Sequence, residues 1–195
     1  MATPTKSNTA SNPASTEMPE AIAKLVNRFT EQRDTYMSGS YNETQVRRDF
    51  IDPFFKALGW DIDNECDYAE AYRDVIHEDM VLVGNAKKAP DYSFRIGGTR
   101  KFFVEAKKPS VSISTDSKPA FQLRRYGWSA KLPLSILTDF EEFAVYDCSH
   151  KPDEHHGPSQ ARLHYYKYTD YAENWGEIVS LFSKQAVMKL SLIHI

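Results

Sequence analysis

The feature that most constrains this chain is the run from Pro90 to Pro109, where two alternating segments flank Gly97-Gly98. Alternation around a glycine pair is the signal of a β-hairpin. In the first segment Tyr92, Phe94 and Ile96 share one face, and Asp91, Ser93 and Arg95 share the other. In the second, Phe102, Val104 and Ala106 are expected to face inward, with Phe103, Glu105 and Lys107 facing out. A three-residue loop of Gly97, Gly98 and Thr99 pairs Ile96 with Arg100, and counting back sets Asp91 opposite Glu105. Directly paired residues point to one side with Cβ atoms ~5 Å apart. Two carboxylates are thus expected side by side, with Lys107 two residues along the same face. Unpaired, they would repel and one pKa would rise. A hard divalent cation removes the conflict, since Mg²⁺ binds through one or two carboxylates together with water and substrate phosphate. An exposed hairpin face with solvated Glu105 and Lys107 is the plainer alternative.

Around the hairpin, Ile22, Leu25, Val26 and Phe29 give a first helix over about Glu20–Met37 an apolar face. Asn42-Glu43-Thr44-Gln45 has the form of a capping box opening a second helix, in which Val46, Phe50, Phe54 and Leu58 recur at helical spacing. Pro53 inside that pattern predicts a kink or break near Asp49. Glu43 leans toward the buried face; acting on the helix dipole explains it as well as a site role does. The stretch Trp60–Asp79 shows no clear period and reads as loop or short helix, and Met80–Val83 as a strand. A helix is expected from about Pro119 to Ala130, then strands at Leu134–Leu137 and Phe143–Tyr146 around Thr138-Asp139, an edge strand at Leu163–Tyr168 and a closing helix at Trp175–Val187. Together these predict an α/β domain, a mixed sheet of four to five strands with helices on both faces. Residues 1–19 read as a disordered tail, 20–187 as one folded domain and 188–195 as an irregular end.

Composition narrows the class of function. The net charge of −3 argues against indiscriminate coating of nucleic acid. Its distribution says more: Asp61–Met80 carries eight acids and one base, Arg73, whereas Arg95–Lys131 carries nine bases against Glu105 and Asp116. A polyanion would meet the second segment. Cys66 and Cys148 are too far apart for a zinc motif or a disulfide framework and suit a reducing cytoplasm. No apolar run is long enough to span a bilayer, so no membrane partner is expected.

Pro90-Asp91 followed by Glu105-Ala106-Lys107 resembles the signature of the PD-(D/E)xK nuclease superfamily. From about Glu20 to Val187 the chain is similar to the N-terminal nuclease domain of type I restriction-enzyme motor subunits and of fused restriction–methylation enzymes. Gln122 and Tyr126, four apart on one helical face, resemble the Gln-x-x-x-Tyr motif of the RecB-like and type I branches. The resemblance implies a restriction-endonuclease-like core and Mg²⁺-dependent cleavage of double-stranded DNA to a 5′-phosphate and a 3′-hydroxyl, with Mn²⁺ as a substitute ion. It implies Asp91, Glu105 and the Ala106 carbonyl as ion ligands, with Glu43 as a further candidate. Lys107 would be the catalytic cation, and Gln122 and Tyr126 positioning groups. Lys108, Arg124 and Arg125 are the expected DNA contacts. Motor, specificity or methyltransferase segments are the implied companions. A repair or recombination nuclease would share these residues, and a non-catalytic DNA-binding or assembly module would keep the fold alone.

Overall fold

The computed structural model describes residues 17–193. Six strands form one sheet: β1 (Val75–His77), β4 (Tyr92–Ile96), β5 (Thr99–Ala106), β6 (Leu134–Thr138), β7 (Glu142–Asp147) and β8 (Arg162–Lys167), in the order β1-β4-β5-β6-β7-β8. β2 (Val81–Val83) and β3 (Ala86–Lys88) pair separately as a two-stranded ribbon. Among the described residues, β5 and β6 are the one parallel pair in the sheet. Their connection carries α5 (Ser117–Ser129), as a parallel crossover requires.

The expected mixed sheet with helices on both faces is present, with more strands than expected. β1 is three residues long, too short to show a period, and lies inside the stretch read as loop. The expected strand at Met80–Val83 exists, but its partner is β3 and it stands outside the main sheet.

The hairpin reaches the expected register by another route. Ile96 pairs with Thr99, so the loop has two residues, and both Gly97 and Gly98 have positive φ (56° and 79°). Such a turn suits glycine and matches the strands' twist. A bulge then intervenes: Arg95 pairs with Arg100 but Phe94 with Phe102, leaving Lys101 as the extra residue. The shorter loop and the bulge cancel, and Tyr92 faces Val104. Asp91 and Glu105 are next in that register.

Both faces of the sheet are buried. Phe94, Phe102, Val104, Ile136, Phe143 and Val145 pack under α1 (Glu20–Glu31), α4 (Asp52–Ala57) and α6 (Tyr171–Phe182). On the other side Phe103, Leu137, Ala144 and Tyr146 pack under α5 and β2. The face assigned to solvent from the hairpin alone is therefore a second interior, and Phe103 is fully buried in it. α5 lies close: a Cβ on Gly127 would sit 2.5 Å from the Cys148 sulfur. Cys148 is buried and Cys66 exposed, and both are free thiols.

The first helical stretch is divided at Gln32 into α1 and the single turn α2 (Arg33–Tyr36). The capping box is formed: the Asn42 side chain accepts from the Gln45 N–H, and the Gln45 side chain accepts from the Asn42 N–H. α3 (Glu43–Val46) then runs through a π-helical turn, Arg47–Ile51, into α4. Pro53 thus widens the helix where a kink was expected. It cannot donate to the Asp49 carbonyl, and that carbonyl accepts instead from the Arg28 guanidinium.

At the carboxyl end, α7 (Lys184–Ile193) continues past the expected boundary at Val187. Residues 188–193 are helical, not irregular. Lys184 anchors the helix to Asp74 at 2.6 Å, and Val187 packs into the core. The tail expected to be disordered lies outside the described residues up to Thr16, while Met18 packs against the core.

Candidate active site

The site lies at the carboxyl end of β5 and the start of β4. Asp91 immediately precedes β4, and one of its oxygens, Oδ2, accepts from the Ala106 N–H at 2.8 Å. That bond crosses from one strand to the other and fixes the carboxylate at the Glu105-Ala106-Lys107 segment. A strand residue's N–H and C=O point to the same neighbour, so the Ala106 carbonyl also looks toward Asp91. The other Asp91 oxygen, Oδ1, accepts from Arg47 Nη1 at 3.2 Å.

Glu105 points beneath α5 and is 4% exposed. Its Oε1 accepts from Lys107 Nζ at 3.0 Å and from Gln122 Nε2 at 2.6 Å. Gln122 also donates to the Tyr126 hydroxyl at 2.9 Å. The two residues of the helical motif are thus brought together with Glu105, as their spacing suggested. Glu43 enters from the first turn of α3, with Oε1 3.8 Å from Lys107 Nζ. It reaches the site through the lysine.

The electrostatics follow from this crowding. Burial, and then the neighbouring Asp91, push the Glu105 carboxyl up to about 7, against the pull of Lys107. Burial works against the Lys107 ammonium, but Glu105 and Glu43 outweigh it and raise its pKa, so Lys107 stays charged. Burial and Glu105 raise the Tyr126 hydroxyl.

One polar atom is left over: Glu105 Oε2 is buried with no hydrogen-bond partner. A buried carboxylate oxygen without a donor is costly, and it marks a place for a cation. Among the described residues no three His, Cys, Asp or Glu side chains form a closed metal cage. Two carboxylates with a carbonyl, completed by water and phosphate, are the donor set Mg²⁺ uses. The residues present fit that ion.

The expected DNA contacts fare unequally. Arg125 is exposed, its guanidinium 5.3 Å from the Phe121 ring centre, and Lys108 is half-buried after the site strand. Arg124 is not at the surface. It is 3% exposed and its Nη1 meets His156 Nδ1 at 3.1 Å. The reason is helical phase: Ala120, Leu123, Arg124 and Gly127 are the buried stripe of α5. Arg95 and Arg100 are also occupied, both held by Asp79 at 2.6–2.8 Å. Burial tends to raise the Asp79 carboxyl, but the bonds from Arg100 and Arg95 prevail and hold it at about 2.

Arg47 is the site residue that sequence reasoning missed. The available signal was its position four residues after Glu43, on the same helical face.

Residues 70–154, which include Asp91, Glu105, Lys107, Gln122 and Tyr126, match the family described as the type I restriction enzyme R protein N terminus. Over this stretch the chain is similar to the N-terminal nuclease domains of restriction enzymes. It is 42% identical over 170 residues to the type II restriction enzyme and methyltransferase RM.Eco57I of Escherichia coli. The match takes in 86% of this chain and 17% of that enzyme. A solved structure of a DrdV–DNA complex shares the fold, with a TM-score of 0.50 at 17% identity, over 83% of this chain and 14% of that one. The chain thus spans about a sixth of the length of RM.Eco57I and about a seventh of the chain in the DrdV–DNA complex.

Proposed function

We propose that this restriction-nuclease domain is a Mg²⁺-dependent endonuclease acting on double-stranded DNA, working in the cytoplasm as part of a longer restriction enzyme. The observation that carries the reading is the meeting of Asp91, Glu105 and Lys107 at one strand end, with Glu105 Oε2 left as a buried oxygen without a hydrogen-bond partner.

In this reading Asp91, Glu105 and the Ala106 carbonyl hold the ion. Bound there, it supplies an acidified water and neutralises charge on the phosphorane oxygens. Lys107 remains protonated beside Glu105 and donates hydrogen bonds to the attacking water or to a phosphate oxygen in the transition state. Gln122 holds Glu105 Oε1 and is itself tied to Tyr126, so Oε2 is kept for the ion. Glu43 faces Lys107 and fixes the ammonium from the opposite side. Arg125 and Lys108 hold DNA phosphates. RM.Eco57I is by name both restriction enzyme and methyltransferase, and a methyltransferase segment is the partner this domain best fits.

The test is cleavage of plasmid DNA with and without Mg²⁺ by the parent, Asp91→Ala and Lys107→Ala. The parent is expected to cut only with the ion, and each variant to lose at least about 100-fold while keeping its circular dichroism. Variants that stay folded and cut like the parent would show the assigned roles to be wrong.

A further inference from the structure

We infer that Arg47 is the positioning residue of the ion site, holding Asp91 in the orientation that binds the divalent cation. The inference rests on the ion-dependent reading of the site.

Arg47 stands in the π-helical turn, a feature often found at functional sites. Its side chain is 17% exposed. Nη1 donates to Asp91 Oδ1 at 3.2 Å, and Nη2 lies 3.4 Å from the Asp91 carbonyl oxygen and 3.2 Å from His77 Nδ1. The guanidinium covers the Tyr92 ring at 4.8 Å, and Tyr92 is fixed in turn by its bond to Asp52 at 2.7 Å. Glu78 approaches to 3.9 Å.

Two facts separate orientation from competition with the ion. First, most of these anchors are scaffold: a carbonyl, a histidine and an aromatic face. The guanidinium is thus seated by the fold and would remain seated with an ion present. Second, Arg47 and the Ala106 N–H engage different oxygens of Asp91 and so define the plane of its carboxylate. An ionised carboxylate offers about four acceptor positions. Two are taken, and the remainder are available to a cation shared with Glu105. Groups that orient a metal ligand in this way are commonly worth about 10–100-fold in metal affinity.

The experiment is calorimetric titration of Mn²⁺ into the DNA-free protein, for the parent, Arg47→Ala, Arg47→Lys and Asp91→Asn, each with its thermal midpoint. Arg47→Ala is expected to bind the ion about 10–100-fold more weakly. The Mg²⁺ concentration for half-maximal cleavage should rise by the same factor while KM for DNA holds. Arg47→Lys keeps the charge but loses the fork, and should weaken ion binding about tenfold at a midpoint near the parent's. This variant carries the test if Arg47→Ala does not fold. Tighter ion binding in either variant would mean that the guanidinium competes with the ion and would overturn the inference. Unchanged affinity in Arg47→Lys, with binding lost in Asp91→Asn, would overturn it and leave the ion site standing. A parent that binds no ion would overturn both.

Discussion

Glu105 shows how much a single buried carboxyl can reveal. Its pKa is raised from 4.5 to about 7, so the folded state binds its proton more tightly than the unfolded chain does. The stability this contributes is full below pH ~4.5 and is lost as pH rises through about 7. At about 1.4 kcal/mol per pH unit, the loss is on the order of 3–4 kcal/mol. Glu105→Gln carries no such proton and should escape the loss. In metal-free buffer the parent's stability relative to this variant should therefore fall between pH 5 and 8, measured by urea unfolding. Mg²⁺ should restore it at pH 8, because the ion takes the place of the proton. A difference between parent and variant that is flat across this range would show that Glu105 ionises freely in the fold.

At the scale of elements, the turn between β4 and β5 does more than reverse the chain. Both glycines have positive φ, but their surroundings differ. A Cβ on Gly97 meets nothing within 4 Å, whereas one on Gly98 would lie 2.6 Å from the Ala71 carbonyl oxygen. Gly97→Ala should cost only the left-handed strain, about 1 kcal/mol. Gly98→Ala adds a backbone collision and should cost about 2–3 kcal/mol. Denaturant unfolding of the two variants checks the order, and equal losses would show that the turn moves freely against the 69–72 segment. The same hairpin shows what sequence could and could not convey. Period-two alternation placed the acids correctly because a missing loop residue was offset by an extra one in the strand. The bulge itself has no sequence mark, since Lys101 is an ordinary strand residue. Arg124 was legible in principle, because it falls on the apolar stripe of α5; its charge drew attention away from its phase. Arg47 was legible only in part: helical spacing put it on the face of Glu43, but its bond to Asp91 depends on a helix and a strand 44 residues apart meeting. β1 was hidden by its length.

At the scale of the molecule, a sheet buried on both faces leaves its strand ends as the place where chemistry can meet solvent. The β5–β6 crossover puts α5 over Glu105, and α3 brings Glu43 and Arg47 to the same strand end from another side. Three acids and two bases meet there: Glu43, Glu105 and Asp91 with Lys107 and Arg47, the neighbouring Glu105 and Asp91 flanked by the two cations. Only Glu105 Oε2 in that cluster is buried without a partner. The most direct measurement of the central claim is the anomalous scattering of Mn²⁺ in crystals of this protein. The account predicts a peak between Asp91, Glu105 and the Ala106 carbonyl, absent from crystals of Asp91→Asn. Density at well-occupied sites elsewhere, with nothing between those three groups, would contradict it.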